Sequence, residues 1–308
     1  MKTAIGRKLL KSTGKDMGWL VLSRVLASLK KNNNIRVSHR RSKLIANAIF
    51  FFAKSRRKLL LSNLAIAFPG WSDAQINVTA RKVVRNICRG FVDSFYYSYH
   101  PHMFSSNVIL EKNGVLEDVL SRKSGFIVVT GHVGVFPFLG RPIVDRGVPF
   151  GPIVRDAHDM RVKYALDDAR ERIGYTLMPD RPAMTVLKRS VKVLRKGGGV
   201  MIAFDMHPGA GRGGIEVEFL GRKTPMFSYV VRLAARMRVP IVPGHVLPEP
   251  DDMRHRVTYY PPIDVPEDAA DQNSPAAKEI LQGLADWLSG IIRNHPEQYW
   301  WIHRRWRK

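Results

Sequence analysis

From Phe126 onward the chain alternates short β-branched runs with stretches of helical periodicity, and no other feature restricts its fold as much. Strands are expected at 126–130 (Phe-Ile-Val-Val-Thr), 152–154, 200–204, 215–219, 241–242 and 257–260. Helices are expected at 161–172, 181–195 and 225–238, and Ser274-Pro275 opens a last one that runs to about Asn294. Strands separated by helices favour parallel pairing, because each crossover must return the chain to the same end of the sheet. The expected class is therefore α/β, with a mixed, mostly parallel central sheet flanked by helices. Ahead of it, Ser72-Asp73-Ala74-Gln75 forms a capping box. Ile76, Ala80, Val83, Val84, Ile87, Phe91 and Phe95 then supply the apolar stripe of one long helix.

The N-terminal segment has a different character. Residues 1–60 hold 16 Lys and Arg against the single acid Asp16, a net of +15 out of +24 for all 308 residues. Uncompensated like charge repels within a compact state, so it implies an anionic partner. The basic residues are interleaved with apolar runs at 18–29 and 44–53, both shorter than the roughly 18 residues of a spanning helix. Trp19, Leu22, Leu26 and Leu29 recur at helical spacing, and Lys30, Lys31, Arg40 and Arg41 follow before Phe50 and Phe51. This is the pattern of helices lying on anionic lipid, although ordinary core-packing helices with solvated charges share it. Richness in Phe and Leu favours the membrane over a nucleic acid, which is not an expected partner.

The expected division is a basic, apolar helical membrane-associating segment at 1–70 and an α/β domain at 71–308. On that division, loss of residues 1–55 would abolish vesicle binding and spare the fold. The one cysteine, Cys88, cannot close an intramolecular disulfide, and with no visible secretory cleavage pattern a reducing cytoplasmic setting is expected.

Reactive groups in α/β sheets gather just past the carboxyl ends of strands, and Thr130-Gly131-His132 follows one directly. A histidine there suits removal of a proton from an alcohol or amine, and Gly131 and Gly134 would let a substrate approach the backbone. A second strand runs into Asp205-Met206-His207 and a loop with four glycines and Arg212, able to turn NH groups and a guanidinium toward a phosphate or oxyanion. The loop lacks the Gly-Lys-Ser/Thr ending of a nucleotide-binding loop. A third cluster, Trp300, Trp301 and Trp306 alternating with His303, Arg304, Arg305 and Arg307, suits base stacking or a lipid headgroup region. His100, His158, His245 and His255 show no metal-ligand spacing, and the neighbours Asp167 and Asp168 point about 100° apart on a helix, as on a solvated face.

In order, His132, Arg155 after a strand, Phe204-Asp205 with a glycine-rich turn, 217–222 (Val-Glu-Phe-Leu-Gly-Arg) with Thr224-Pro225, and 297–306 (Glu-Gln-Tyr-Trp-Trp-Ile-His-Arg-Arg-Trp) follow one another. Taken with Arg56-Arg57, Asn63-Leu64 and Ala67-Phe68-Pro69, this order resembles the late acyltransferases of bacterial lipid A biosynthesis. The resemblance covers nearly the whole chain from about residue 50. It implies a glycerolphosphate-acyltransferase-like fold and fatty acyl transfer from acyl carrier protein or coenzyme A to a hydroxyl of a glycolipid. The reaction would take place at the cytoplasmic face of the bacterial inner membrane, by a peripheral or monotopic protein with no metal or bound cofactor. His132 would be the general base and Arg155 a binder of acceptor phosphate, with Arg212 as a further anion-binding group.

The family's motif is His-x4-Asp/Glu, and here the acid position holds Pro137. Three readings stay open: another carboxylate, Asp205 or Asp156, orients His132; the chemistry has moved to aminoacyl transfer or acylation of an amine; or the protein binds lipid without catalysis. Met206 stands where the family has Gln, which leaves His207 as the candidate polar substitute in substrate binding.

Overall fold

The computed structural model describes residues 2–32, 34–209, 214–250 and 253–306. Four helices open the chain: α1 (Lys2–Lys31), α2 (Ile35–Phe52), α3 (Lys54–Ala67) and α4 (Asp73–Tyr99). Both bonds of the capping box at the start of α4 are made. Ser72 N–H donates to Gln75 Oε1 at 2.8 Å, and Gln75 N–H donates to Ser72 Oγ at 3.3 Å.

Short helix α5 (Phe104–Asn107) leads to β1 (Val108–Leu110), and α6 (Val115–Ser121) leads to β2 (Phe126–Thr130). Then come α7 (Arg141–Val144), β3 (Phe150–Val154), α8 (Met160–Ile173), β4 (Met178–Pro179), α9 (Ala183–Leu194) and β5 (Gly199–Ala203). The chain continues through β6 (Gly214–Phe219), β7 (Arg222–Phe227), α10 (Tyr229–Met237), β8 (Ile241–Pro248), β9 (His255–Tyr259) and α11 (Pro275–Asn294).

Seven strands form one sheet in the order β1-β9-β8-β2-β5-β3-β4, parallel throughout except where β8 meets β9. This is the expected mixed, mostly parallel sheet. Strand β2 is buried along its whole length, and its side chains alternate between two cores. Ile127 and Val129 join a cluster with Leu281, Leu284 and Leu288 of α11, whereas Val128 joins Phe95, Phe138 and Met201 on the other face.

Residues 215–219 stand outside the main sheet. They belong to β6, which pairs antiparallel with β7 through Leu220 and Gly221, both at positive φ as in a tight two-residue hairpin turn. The helix expected at 225–238 therefore begins later, at Tyr229. Thr224 and Met226 are buried alternately as strand residues, and Pro225 is tolerated because the ribbon has only two strands.

The N-terminal helices share the main core. Ser42, Ala46 and Phe50 recur every four residues along α2 and are buried, and Ala46, Phe50, Leu60 and Leu64 lie in one cluster with Ile76, Val83 and sheet residues. His39 Nε2 also reaches Asp93 Oδ1 of α4 at 2.5 Å, and His255 Nε2 of β9 reaches Asp93 Oδ2 at 3.0 Å. Removal of 1–55 would thus strip a buried carboxylate of one partner and uncover the side of α4 that packs on α2.

Phe50, expected at a membrane surface, is only 6% exposed and is covered by the guanidinium groups of Arg57 and Arg81. Its neighbours Phe51 and Phe52 are 67% and 76% exposed, together with Leu44, Ile45 and Ile49. Trp19 is half-buried beneath Arg161, and Lys30, Lys31, Arg40 and Arg41 are exposed. Among the described residues no helix is long and apolar enough to cross a membrane.

Candidate active site

The site is built by register. Strands β2 and β5 are parallel neighbours, with Thr130 opposite Ala203, so the residues two positions beyond each strand, His132 and Asp205, emerge side by side. Asp205 is fully buried and receives two bonds from the same residue. His132 Nδ1 lies 2.7 Å from Oδ1, and the His132 backbone N–H donates to Oδ2 at 3.1 Å. With Nδ1 donating to the carboxylate, Nε2 is the nitrogen left to accept a proton.

The remaining polar group of His132 is held by the C-terminal tail. Trp300 N–H donates to the His132 carbonyl at 3.0 Å, Gly134 N–H donates to the Gln298 carbonyl at 2.9 Å, and Val133 forms an antiparallel bridge with Tyr299. The tail itself is pinned by Asn63 of α3, whose Nδ2 donates to the carbonyls of Trp301 and His303 at 2.7 and 2.8 Å. Rings of Phe136 and Trp300 meet the imidazole edge-on, with centroids 5.0 and 5.8 Å away. Gly131 and Gly134 are needed by the protein rather than by a substrate. A Cβ on Gly131 would meet Leu288 of α11 at 2.6 Å, and one on Gly134, whose φ is +56°, would meet the Val246 carbonyl at 1.8 Å.

Burial of His132 acts to lower its pKa, but the charge and hydrogen bond of Asp205 outweigh it and leave the imidazole above its ordinary value. Asp205 is held below the usual carboxylate range: burial pushes it up, and the His132 charge and bonds, then His303, pull it further down. His303, 6.3 Å from His132 between ring centroids, is pushed down to about 4, chiefly by burial. Its Nδ1 donates to the Trp300 carbonyl at 2.6 Å, and its Nε2 faces the Tyr299 hydroxyl at 3.3 Å. Two histidines therefore share one site with opposite shifts, one favouring protonation and the other resisting it.

His132 opens into a cavity of about 1700 Å3. Part of its wall, including residues of α4 and α8, is apolar and well buried, with Phe95, Val135, Ala169, Ile173, Tyr175 and Met201. Tyr175 O–H donates to the carbonyl of Pro137, so the proline is part of the packing there and nowhere a proton donor. The mouth is cationic, with Arg56, Arg57, Arg155 and Arg181. Cys88 also lines the cavity, its thiol pushed up to about 11 by burial and so kept protonated.

Arg155 is at this mouth with its side chain 60% exposed, and its Nε donates to Asp180 Oδ2 at 3.2 Å, a partner not anticipated from the sequence. Asp156 is exposed and pairs with Lys163 at 3.6 Å, away from His132. His207 is not among the described residues of the cavity wall, where its neighbour Met206 stands. Its Nδ1 instead accepts from Gly209 N–H at 2.9 Å. Arg212 lies outside the described residues.

The aromatic and basic tail is not a stacking platform. Trp301 and Arg305 are fully buried, with Trp301 Nε1–H donating to Pro296 O and Arg305 Nη1–H donating to Thr224 Oγ1 at 2.9 Å. Its role in clamping His132 had one signal in the sequence, its place in the family pattern, and none from its composition.

Similarity of sequence relates the chain to known proteins. The sequence profile of the family described as bacterial lipid A biosynthesis acyltransferase matches residues 7–308. A phosphatidylinositol mannoside acyltransferase of Mycobacterium tuberculosis (strain H37Rv) is 24% identical over 195 residues, which cover 62% of this chain and 57% of that protein. The protein of the same name from strain CDC 1551 gives the same identity and coverage. The matched region thus spans a little over half the length of these relatives.

Proposed function

The chain belongs to the bacterial lipid A biosynthesis acyltransferase family, and on that premise we propose that it transfers a fatty acyl group from a thioester donor to a hydroxyl of a membrane glycolipid. The observation that carries this reading is the His132–Asp205 pair opening into a large apolar cavity. His132 Nε2 takes the acceptor hydroxyl proton as the oxygen attacks the thioester carbonyl. When the tetrahedral adduct collapses, the C–S bond breaks and the proton passes from Nε2 to the leaving thiolate. Asp205 fixes the imidazole and stabilises its protonated form.

In this scheme Pro137 is no obstacle, because a base needs a carboxylate in space and not at a fixed sequence spacing. That favours an active enzyme over binding without catalysis. Acyl carrier protein and coenzyme A are both suitable donors. The name of the mycobacterial relatives supports a glycolipid acceptor, with lipid A-type glycolipid as the family's own precedent. Arg155 at the mouth, and Arg212, would hold anionic groups of the substrates.

We further propose a peripheral position on the cytoplasmic face of the bacterial inner membrane. The exposed Leu44, Ile45, Ile49, Phe51 and Phe52 would enter the lipid, and Lys30, Lys31, Arg40 and Arg41 would meet its anionic headgroups. Ile49 and Phe50 also line the cavity, so this surface adjoins its mouth. The test is acyl transfer from radiolabelled acyl carrier protein and coenzyme A donors to a membrane lipid extract, with His132→Ala alongside. Product that disappears in the variant supports the reading. Product that persists in it removes His132 from the reaction.

A further inference from the structure

Many arginines of this chain have a carboxylate of their own: Arg155 has Asp180, Arg161 has Asp159, Arg170 has Asp167 and Arg238 has Glu267. Arg232 and Arg236 are different. Among the described residues neither has an ion-pair partner, although both line one hollow of about 550 Å3. They are one turn apart on α10 and therefore share a face of the helix. The opposite wall is the turn containing Ala270, Asp271, Gln272 and Asn273.

Among the described residues Arg232 is held only by a 3.4 Å contact from its Nε–H to the Ala270 carbonyl, leaving the end of the guanidinium available. Asp271 is the one acid of the hollow, and its Oδ1 is already accepting from Asn273 N–H at 3.0 Å.

The hollow adjoins the reaction chamber. Arg232 and Gln272 belong to its wall and also to the wall of the cavity that contains His132. The wall of that cavity also includes Ile202, Phe227 and Tyr229, so one chamber holds the imidazole and borders the hollow with its two guanidinium groups and two amides. Unpaired planar guanidinium groups beside amide donors suit a phosphate, which accepts from several donors at once.

We propose that Arg232 and Arg236 form a phosphate subsite for a substrate whose reacting end lies at His132, and that this phosphate is the one on the pantetheine arm of the thioester donor. The assignment to the donor rests on the acyl-transfer reading; the subsite itself does not. Acyl carrier protein and coenzyme A both carry the thioester at one end of pantetheine and a phosphate at the other, so one subsite serves either donor. The apolar wall formed with α4 and α8 is left to the acyl chain.

The experiment compares two unreactive thioether probes with the same alkyl chain, S-alkyl phosphopantetheine and S-alkyl pantetheine, whose binding is followed by tryptophan fluorescence, since Trp300 lines the cavity. The full-length protein should bind the phosphate-bearing probe at least tenfold more tightly, as expected of charge-assisted bonds. In Arg232→Gln/Arg236→Gln that ratio should fall to near one while affinity for the phosphate-free probe is unchanged, which also shows that the variant is folded. Arg236→Gln alone, at an exposed position, is the gentler second variant and should lower the ratio in part.

A ratio near one in the unaltered protein, or one unaffected by both variants, overturns the subsite. If the variants instead raise KM only for a phosphate-bearing acceptor and leave the donor ratio alone, the donor assignment is overturned. A protein that shows the phosphate preference yet transfers no acyl group would refute the acyl-transfer reading and leave the subsite standing.

Discussion

Asp205 holds His132 twice, accepting from its ring Nδ1 at 2.7 Å through one oxygen and from its backbone N–H at 3.1 Å through the other. One buried carboxylate thus sets both the position of the residue and the direction in which its ring points. The two bonds predict different consequences for different substitutions. Asp205→Asn retains much of the shape but loses the charge, and transfer should fall by about 10²–10⁴-fold. Burial would then be unopposed at His132, so the residual rate should reach its plateau at lower pH than in the unaltered protein. A pH–rate profile with an unmoved acid limb would contradict this role.

The tail clamp predicts an effect far from the base. Asn63→Ala leaves the Trp301 and His303 carbonyls without their donor, one of them buried, at a cost of about 2 kcal/mol. The tail also carries Trp300 N–H to the His132 carbonyl, so kcat should fall along with the urea midpoint. A shifted midpoint with unchanged kcat would show that the clamp supports the fold alone.

Acid stability follows from the buried histidines. His245 and His303 are each pushed down to about 4, chiefly by burial, whereas in the unfolded chain they titrate near 6.5. The unfolded state then binds more protons, so the stability from keeping these rings neutral is present above about 6.5 and is lost as pH falls toward 4. Asp93 and Asp205 are held low by their histidine partners despite burial, and their contribution is lost at still lower pH. His132 has the opposite sign, since its raised value stabilises below 6.5 and that part is lost as pH rises through it. Melting temperature should therefore drop between pH 6.5 and 4, and His245→Gln should flatten part of that slope. An equal slope in the variant would exclude His245 as a cause.

Adjacent phenylalanines on α2 should behave differently. Phe51→Ser with Phe52→Ser removes exposed apolar area, and partition onto anionic vesicles should weaken at least tenfold with the melting temperature nearly unchanged. Phe50→Ser empties a core position and should cost about 3–5 kcal/mol of stability. Vesicle sedimentation and thermal melts separate the two. Equal vesicle binding by the double variant would refute the proposed lipid face.

Much of the architecture was legible because it follows local rules. The β-branched run at 126–130 and the box at Ser72 need only periodicity and a cap, and both elements appear where the residues place them. The residues 225–227 misled for the same reason. A proline before a helix is an ordinary start signal, and only pairing with 214–216 across the hairpin makes them a strand. At α2 the pattern of charge and Phe suggests one surface. Which of two adjacent phenylalanines is exposed depends on where α4 lies, and helical spacing alone does not say that.

The sequence by itself determined the α/β class, the excess of positive charge at the N-terminus, the histidine past a strand and the missing acid at Pro137, because each is a property of neighbours along the chain. Tertiary structure alone decided that Asp205, and not Asp156, is the carboxylate beside His132, and that the tail locks the loop. The reason is register: residues 73 positions apart meet because β2 and β5 are parallel neighbours with Thr130 opposite Ala203. Strand order and register arise from how the whole hydrophobic pattern packs, and no local stretch of residues encodes them.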